Sequence, residues 1–247
     1  MKKTVFWSAL YEDENIIAVN KASGIAVTGD RWIQAKERLD KLIARELGIP
    51  LLYVAHRIDS GCSGALVFAK TAAAHKSISL AFEQRRVTKE YTAIVRGRPS
   101  WREESCDLPL LASANKRHKT IVENYKGKKS LTHFSLLFSA GKLSVIHARP
   151  VTGRQHQIRV HLAALGHPIV SDELYGDGKP VYLSHIKRGW RGDAFSERPL
   201  LARLGLHAAR LAIADAGLDI EAPLHKDMAA LICQLKKTHG AANDHND

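Results

Sequence analysis

The stretch THFSLLFSAGKLSVIHARPVTG, residues 132–153, most constrains what this chain can fold into. Two alternating apolar segments flank the short turn SAGK, which is the pattern of a β-hairpin whose strands present one face to a core. A second pattern of this kind lies near the C-terminus, where LGLHAARLAI and LDIEAP face each other across DAGL. Hairpins join antiparallel neighbours, and the chain shows no regular strand–helix–strand alternation of the sort a parallel sheet needs. The expected fold class is therefore α+β: one domain with a mostly antiparallel mixed sheet flanked by helices.

The rest of the chain fits that frame. ENIIAVNK (14–21) reads as a buried strand ended by the turn KASG. In WIQAKERLDKLIARELG, Leu39, Leu42, Ile43 and Leu47 recur at helical spacing, and Gly48 with Pro50 closes the segment. LLYVA (51–55) and GALVFAK (64–70) read as two strands on either side of the loop HRIDSGCSG. Thr71 is placed to cap a helix over 71–84, with Ala74, Ile78, Ala81 and Phe82 on one face. KEYTAIVRG (89–97) alternates as a strand. RQHQIRVHLAALG carries an apolar helical stripe of Ile158, Leu162 and Leu165, with Gln155 and Arg159 sharing another face. Residues 177–203, rich in Gly, Pro and charge, read as an insertion, and a last helix follows with the stripe Met228, Leu231, Ile232 and Leu235. The domain is expected to span 1–238, with HGAANDHND (239–247) a disordered tail.

Charge narrows the function classes. Lys plus Arg number 37 against 25 Asp plus Glu, a formal charge of +12. Such an excess suits a polyanionic partner, because phosphates attract Lys and Arg and release counterions on binding. Nucleic acid leads, and the clusters KRHK (116–119) and KGKK (126–129) read as exposed basic surface. The three cysteines, Cys62, Cys106 and Cys233, form no CxxC pair, which argues against a disulfide framework and a Cys-based zinc site and suits a reducing cytoplasm. Near the N-terminus the apolar stretch is short and runs into Glu12, Asp13 and Glu14, unlike a secretion leader. No run approaches the roughly 20 apolar residues of a membrane span, so no membrane partner is expected.

Several chemistries fall away. There is no GxGxxG, no GxxxxGK[ST] and no GxSxG. His156, His161 and His167 are spaced by five and six residues and do not pair on one helical face as HExxH does. What remains is Asp59 in HRIDSGCSG, accompanied by arginines and a tyrosine. A carboxylate at a strand end can be a nucleophile, a general base, or the cap of a turn. The residues alone leave the three open.

HRIDSGCSGALVFAKT resembles the HRLDxxTSG signature of the RluA family of pseudouridine synthases, and KEYTAIVRG is similar to its KxYxAxVxG segment. RPVTGRQHQIRVHLAALGHPIVSDELYG (149–176) resembles the family's PxTGRxHQxRxHxxxxGxPIxGDxxYG, and LHAARL with EAPL matches further on. The blocks stand in order over residues 14–235. Departures are Ile58 for leucine, Cys62 for threonine, Ala22 where proline often follows the lysine, and a longer 177–203 segment; no S4-type RNA-binding segment is expected ahead of residue 14.

The resemblance implies an isomerase that flips a uridine out of structured RNA, breaks its N-glycosidic bond, turns the base and rejoins it through carbon. It implies an active-site cleft across the sheet, one essential aspartate, and neither metal nor cofactor. Asp59 occupies that aspartate's position. Arg57 would fill the vacated stack and hold phosphate, Tyr91 would stack on the extruded uracil, and Arg159 would pair with the catalytic carboxylate. Arg154 would supply a further phosphate or structural contact, while Gln157, His156 and His56 are assigned structural roles. The partner is RNA, ribosomal (of the large subunit) ahead of transfer RNA, and the protein is expected to act as a monomer. A noncatalytic RNA-binding protein of this fold is the main alternative, but binding alone requires none of Asp59, Tyr91 and Arg159. A metal-dependent nuclease is the third reading, and the histidine spacings speak against it.

Overall fold

The computed structural model describes residues 5–29, 37–112, 119–187 and 189–243, with backbone alone for 239–243. Residues 116–118 of the KRHK cluster, the beginning of the WIQAKERLD segment and residues 244–247 of the expected tail lie outside the described residues. In chain order the strands are β1 (Trp7–Glu12), β2 (Ile16–Lys21), β3 (Ser63–Ala69), β4 (Val87–Arg96), β5 (Glu103–Cys106), β6 (Leu110–Ala112), β7 (Thr120–Val122), β8 (Thr132–Ala140), β9 (Leu143–Pro150), β10 (Leu206–Ile213) and β11 (Leu218–Glu221). The α-helices are α1 (Leu39–Leu47), α2 (Ala72–Glu83), α3 (Gln157–Ala164) and α4 (Lys226–Asn243). The chain divides into two compact units, Met1–Glu90 with His207–Pro223, and Tyr91–Leu206 with Leu224–Asp247.

In the first unit β2 pairs antiparallel with β1 and β3, β3 pairs parallel with β10, and β10 pairs antiparallel with β11. All seven residues of β3 are buried, which is why its sequence is a continuous apolar run rather than an alternation. Ile17, Val19, Leu66 and Phe68 pack against Leu39 and Ile43 of α1. On the other face Ala18, Ala65 and Val67 pack with Ile78 and Ala81 of α2 and with Leu211 and Ile213 of β10. Gly64 has φ 116°, and a Cβ there would stand 2.1 Å from the Ala208 carbonyl oxygen, so only glycine lets β3 and β10 approach. Thr71 caps α2 as expected, its Oγ1 accepting from the Ala74 N–H at 3.2 Å. Gly48 closes α1 in the left-handed region.

In the second unit β9 pairs antiparallel with β4 and β8, and β8 with β5, while β6 and β7 form a separate two-stranded ribbon. The β8–β9 hairpin is the one read from SAGK: Ala140 pairs with Leu143, and Gly141 turns the chain at φ 57°. Ile94, Val145 and Val170 build its core with Met228, Leu231 and Leu235 of α4. That helix continues to Asn243, taking in residues 239–243 of the expected tail. The 177–203 segment holds one 3-10 turn, Leu183–His185, yet its two ends are core: Val181 and Leu201 are fully buried, and the Val181 N–H donates to the Leu201 carbonyl at 2.8 Å.

The α+β class with a mostly antiparallel mixed sheet flanked by helices is thus what the chain forms. Three local expectations change. LLYVA is no strand, contributing only a bridge from Tyr53 to Ala69. Gln155 stands ahead of α3 and is exposed rather than sharing a helix face with Arg159. Among the described residues no helix is long and apolar enough to cross a membrane.

Candidate active site

Asp59 lies half-buried in the loop between Tyr53 and β3, next to exposed Arg57. The loop is braced from the end of β2. Lys21, with no exposed surface, donates from Nζ to the carbonyls of Ala22 (2.8 Å), Ser60 (3.0 Å) and Cys62 (2.8 Å). Ser23 Oγ donates to the Gly61 carbonyl at 2.7 Å, and the Gly24 N–H donates to that of Ser60 at 2.8 Å. Three successive carbonyls after Asp59 are therefore tied to the KASG turn, and the Cys62 N–H donates back to the Asp59 carbonyl at 3.0 Å. An ammonium in a protein interior is tolerable only when its donors are used, and here three carbonyls accept from it. The sequence marked KASG as a turn and missed the brace; the signal was a lysine ending a strand otherwise fit for burial.

His56 enters the same loop as a structural group. Its Nε2 accepts from the Val67 N–H at 3.0 Å, which fixes the neutral ring with its proton on Nδ1, and the ring stacks on Phe82 at 4.5 Å. Burial, with the Lys89 charge adding to it, pushes its pKa down to about 3. Behind the loop, Ser63 Oγ donates to His207 Nδ1 at 2.9 Å, because His207 Nε2 spends its proton on the Ala222 carbonyl.

In the second unit Arg159 sits on α3 and is nearly buried. Its Nε and Nη2 donate to the two oxygens of buried Asp172, both at 2.8 Å. Asp172 Oδ1 also accepts from the N–H groups of Leu174 (2.9 Å) and Tyr175 (3.2 Å). Burial disfavours the charged carboxyl, but the Arg159 guanidinium and the two N–H groups outweigh it and hold the pKa below the usual carboxylate value. The guanidinium lies 5.1 Å from the centre of the Tyr175 ring, as does Lys119 Nζ. The Tyr175 hydroxyl accepts from the Thr120 N–H at 2.8 Å and meets His156 Nδ1 at 2.9 Å, and burial raises its pKa. Asp172 and Tyr175 are partners of Arg159 that the sequence reading did not single out, although both stand in the SDELYG end of its third block.

Tyr91 is half-buried on β4, opposite Ala148 of β9. Arg154 donates from Nε to the Lys129 carbonyl at 3.1 Å, and its N–H donates to Gln157 Oε1 at 3.0 Å. Gln157 uses its whole amide: Oε1 also accepts from Thr152 Oγ1, and Nε2 donates to the Leu131 carbonyl and Thr132 Oγ1. It thereby welds the TGR turn to β8, the structural part expected of it. The three histidines go separate ways, His156 to Tyr175, His161 to Thr132, Ser130 and the Leu108 carbonyl, and His167 to the Arg96 carbonyl. Burial lowers the pKa of His161, consistent with a neutral structural ring. Of the expected site residues, Asp59 and Arg57 share one loop of the first unit, and Tyr91, Arg154 and Arg159 belong to the second.

Comparison with known proteins identifies the family. The model of the family described as RNA pseudouridylate synthase matches residues 15–164. The dual-specificity RNA pseudouridine synthase RluA of Salmonella typhi is 37% identical over 176 residues, covering 71% of this chain and 80% of that protein. The ribosomal large subunit pseudouridine synthase D of Zymomonas mobilis is 32% identical, covering 92% and 72%. Synthase C of Vibrio parahaemolyticus is 34% identical, covering 93% and 70%. Among solved structures, human RNA pseudouridylate synthase domain containing 4 superposes with a TM-score of 0.71 at 22% identity over 92% of each chain. Its counterpart, domain containing 1, gives 0.67 at 27% identity, covering 91% of this chain and 86% of that one. Fold and matched segments define an isomerase that converts uridine to pseudouridine in RNA. The chain belongs to the RluA-type family of RNA pseudouridine synthases.

Proposed function

We propose that Asp59 is the catalytic carboxylate, acting on a uridine flipped out of structured RNA. The observation that carries this reading is the brace on its loop: with the carbonyls of Ser60, Gly61 and Cys62 all tied down, the Asp59 backbone is held in place while its neighbour Arg57 remains open to solvent. A reacting group needs that kind of fixed base. Attack on the sugar or the base, or removal of the C2′ proton, each requires an ionised Asp59. Arg57 contacts phosphate and fills the vacated stack, offsetting the few kcal/mol of unstacking. Tyr91, half-buried rather than sealed in the core, stacks on the uracil. Arg159, its plane fixed by Asp172, is the guanidinium this reading assigns to substrate binding. Arg154 supports the phosphate contacts.

The substrate in this reading is ribosomal RNA of the large subunit, supported by relatives named for that subunit. Transfer RNA is the second reading. The enzyme works in the cytoplasm as a monomer, without metal or cofactor. Asp59→Asn should abolish pseudouridine formation while fold and RNA affinity persist, since the amide keeps the shape and loses charge and nucleophilicity. Pseudouridine above the uncatalysed background in that variant would overturn the assignment. Mapping which pseudouridines vanish from total RNA of a strain lacking the protein decides between the two substrates.

A further inference from the structure

The β6–β7 ribbon runs into a turn built more rigidly than a solvent loop requires. The Glu123 N–H donates to the Pro109 carbonyl and the Gly127 N–H to that of Glu123, both at 3.0 Å, while Lys128 and Leu110 exchange backbone hydrogen bonds at 2.8 and 3.0 Å. The Tyr125 N–H is held by Glu123 Oε1 at 3.0 Å. A Cβ on Gly127 would stand 2.1 Å from the Glu123 carbonyl oxygen, so the turn closes only on glycine. At its apex Tyr125 is 96% exposed. Lys126, Lys128 and Lys129 beside it are exposed too.

One exposed ring is ordinary by itself. Here the ring stands on a fixed frame, among lysines, and the frame is fastened to the proposed site: Arg154 donates to the Lys129 carbonyl, and the next residue, Ser130, is hydrogen-bonded to His161 of α3, two residues beyond Arg159. An aromatic face bordered by ammonium groups matches one ligand chemistry in particular, an unpaired nucleobase between phosphates. We propose that Tyr125 is a stacking platform for an unpaired nucleobase of the substrate RNA outside the uridine pocket, with Lys126, Lys128 and Lys129 on the flanking phosphates. The inference rests on the reading of this chain as an RNA-uridine isomerase, and adds a determinant of which RNA it holds.

The test uses the full chain, an RNA stem-loop with 2-aminopurine at successive loop positions, and a blunt RNA duplex of equal length. Tyr125→Ala should weaken stem-loop binding about five-fold or more, the equivalent of about 1 kcal/mol at the lower end of base–aromatic stacking. It should remove the 2-aminopurine quenching at one loop position, and leave duplex binding and the salt slope unchanged because no charge is lost. Tyr125→Phe should bind as the parent does. Lys128→Gln should reduce the salt slope by about 1. Unchanged stem-loop affinity in Tyr125→Ala, equal weakening for stem-loop and duplex, or a loss in Tyr125→Phe matching that in Tyr125→Ala overturns the stacking platform while RNA binding by the parent stands. A parent that shows no salt-dependent binding to the stem-loop overturns the RNA reading and this inference together.

Discussion

Asp172→Ala, Arg159→Met and their combination form a cycle whose outcome follows from the geometry. Both Asp172 oxygens accept from Arg159 at 2.8 Å, and both side chains are nearly sealed from water. Each hydrogen bond to a charged group contributes about 1.5–3 kcal/mol, so the pair carries about 3–6 kcal/mol before the cost of burying two charges. Removing one partner takes the opposing charge of this pair away from the other in a buried site, at about 3–5 kcal/mol. Asp172→Ala also deprives the Leu174 and Tyr175 N–H groups of their acceptor, about 1 kcal/mol each, so it should be the more destabilising single change. The double variant leaves neither half of the pair behind. It should lose about 2–3 kcal/mol less than the sum of the singles, measured by urea unfolding at neutral pH with circular dichroism. Pseudouridine formation should fall in Asp172→Ala as well, since Arg159 loses the contact that fixes its plane. Additivity within about 0.5 kcal/mol would refute the reasoning, because two side chains joined this way cannot act independently.

Lys21→Met keeps the buried stem and removes the charge. Ser60 retains the Gly24 N–H, but the Ala22 and Cys62 carbonyls lose the ammonium, so urea unfolding should show a loss of about 2–4 kcal/mol and turnover should drop more than RNA affinity; a variant as stable and active as the parent would sink the brace. His56 makes stability pH-dependent. Its folded pKa, about 3, lies below the ordinary 6.5, so its contribution is complete above 6.5 and is lost as pH falls from there towards 3. Unfolding free energy should decline over that window, and less steeply in His56→Gln; identical slopes for the two proteins would show that burial does not act on this ring.

What the sequence disclosed was local. SAGK between alternating segments gave the β8–β9 hairpin because turn chemistry and period both sit within a few residues, and Thr71 gave the start of α2 for the same reason. β1 was not seen, since its six residues are exposed or half-buried and carry no apolar face to count. β5, β6 and β7 are three or four residues long, too short to establish a period. LLYVA looked like a strand by composition, but only Tyr53 finds a ladder partner. The family motifs pointed to Asp59, Tyr91 and Arg159. What no motif could state is that Asp172 holds Arg159 and that Lys21 holds the loop of Asp59, because such pairings depend on how separate segments meet, which spacing along a chain does not encode.

The buried pinning of Val181 to Leu201 has an evolutionary consequence. Across the neck of the segment the Val181 N–H donates to the Leu201 carbonyl and the Leu200 N–H to the Val181 carbonyl, with Val181 and Leu201 in the core. The ends of residues 182–200 are therefore closed by the domain itself, whatever lies between them. Loop closure depends only weakly on length, each doubling adding about 0.6 kcal/mol, so residues can be inserted, deleted or replaced within that neck with little strain on the sheet. Natural variants of this enzyme should accordingly differ most between Val181 and Leu201, where a new substrate-contacting surface can be acquired without rebuilding the site that performs the isomerisation.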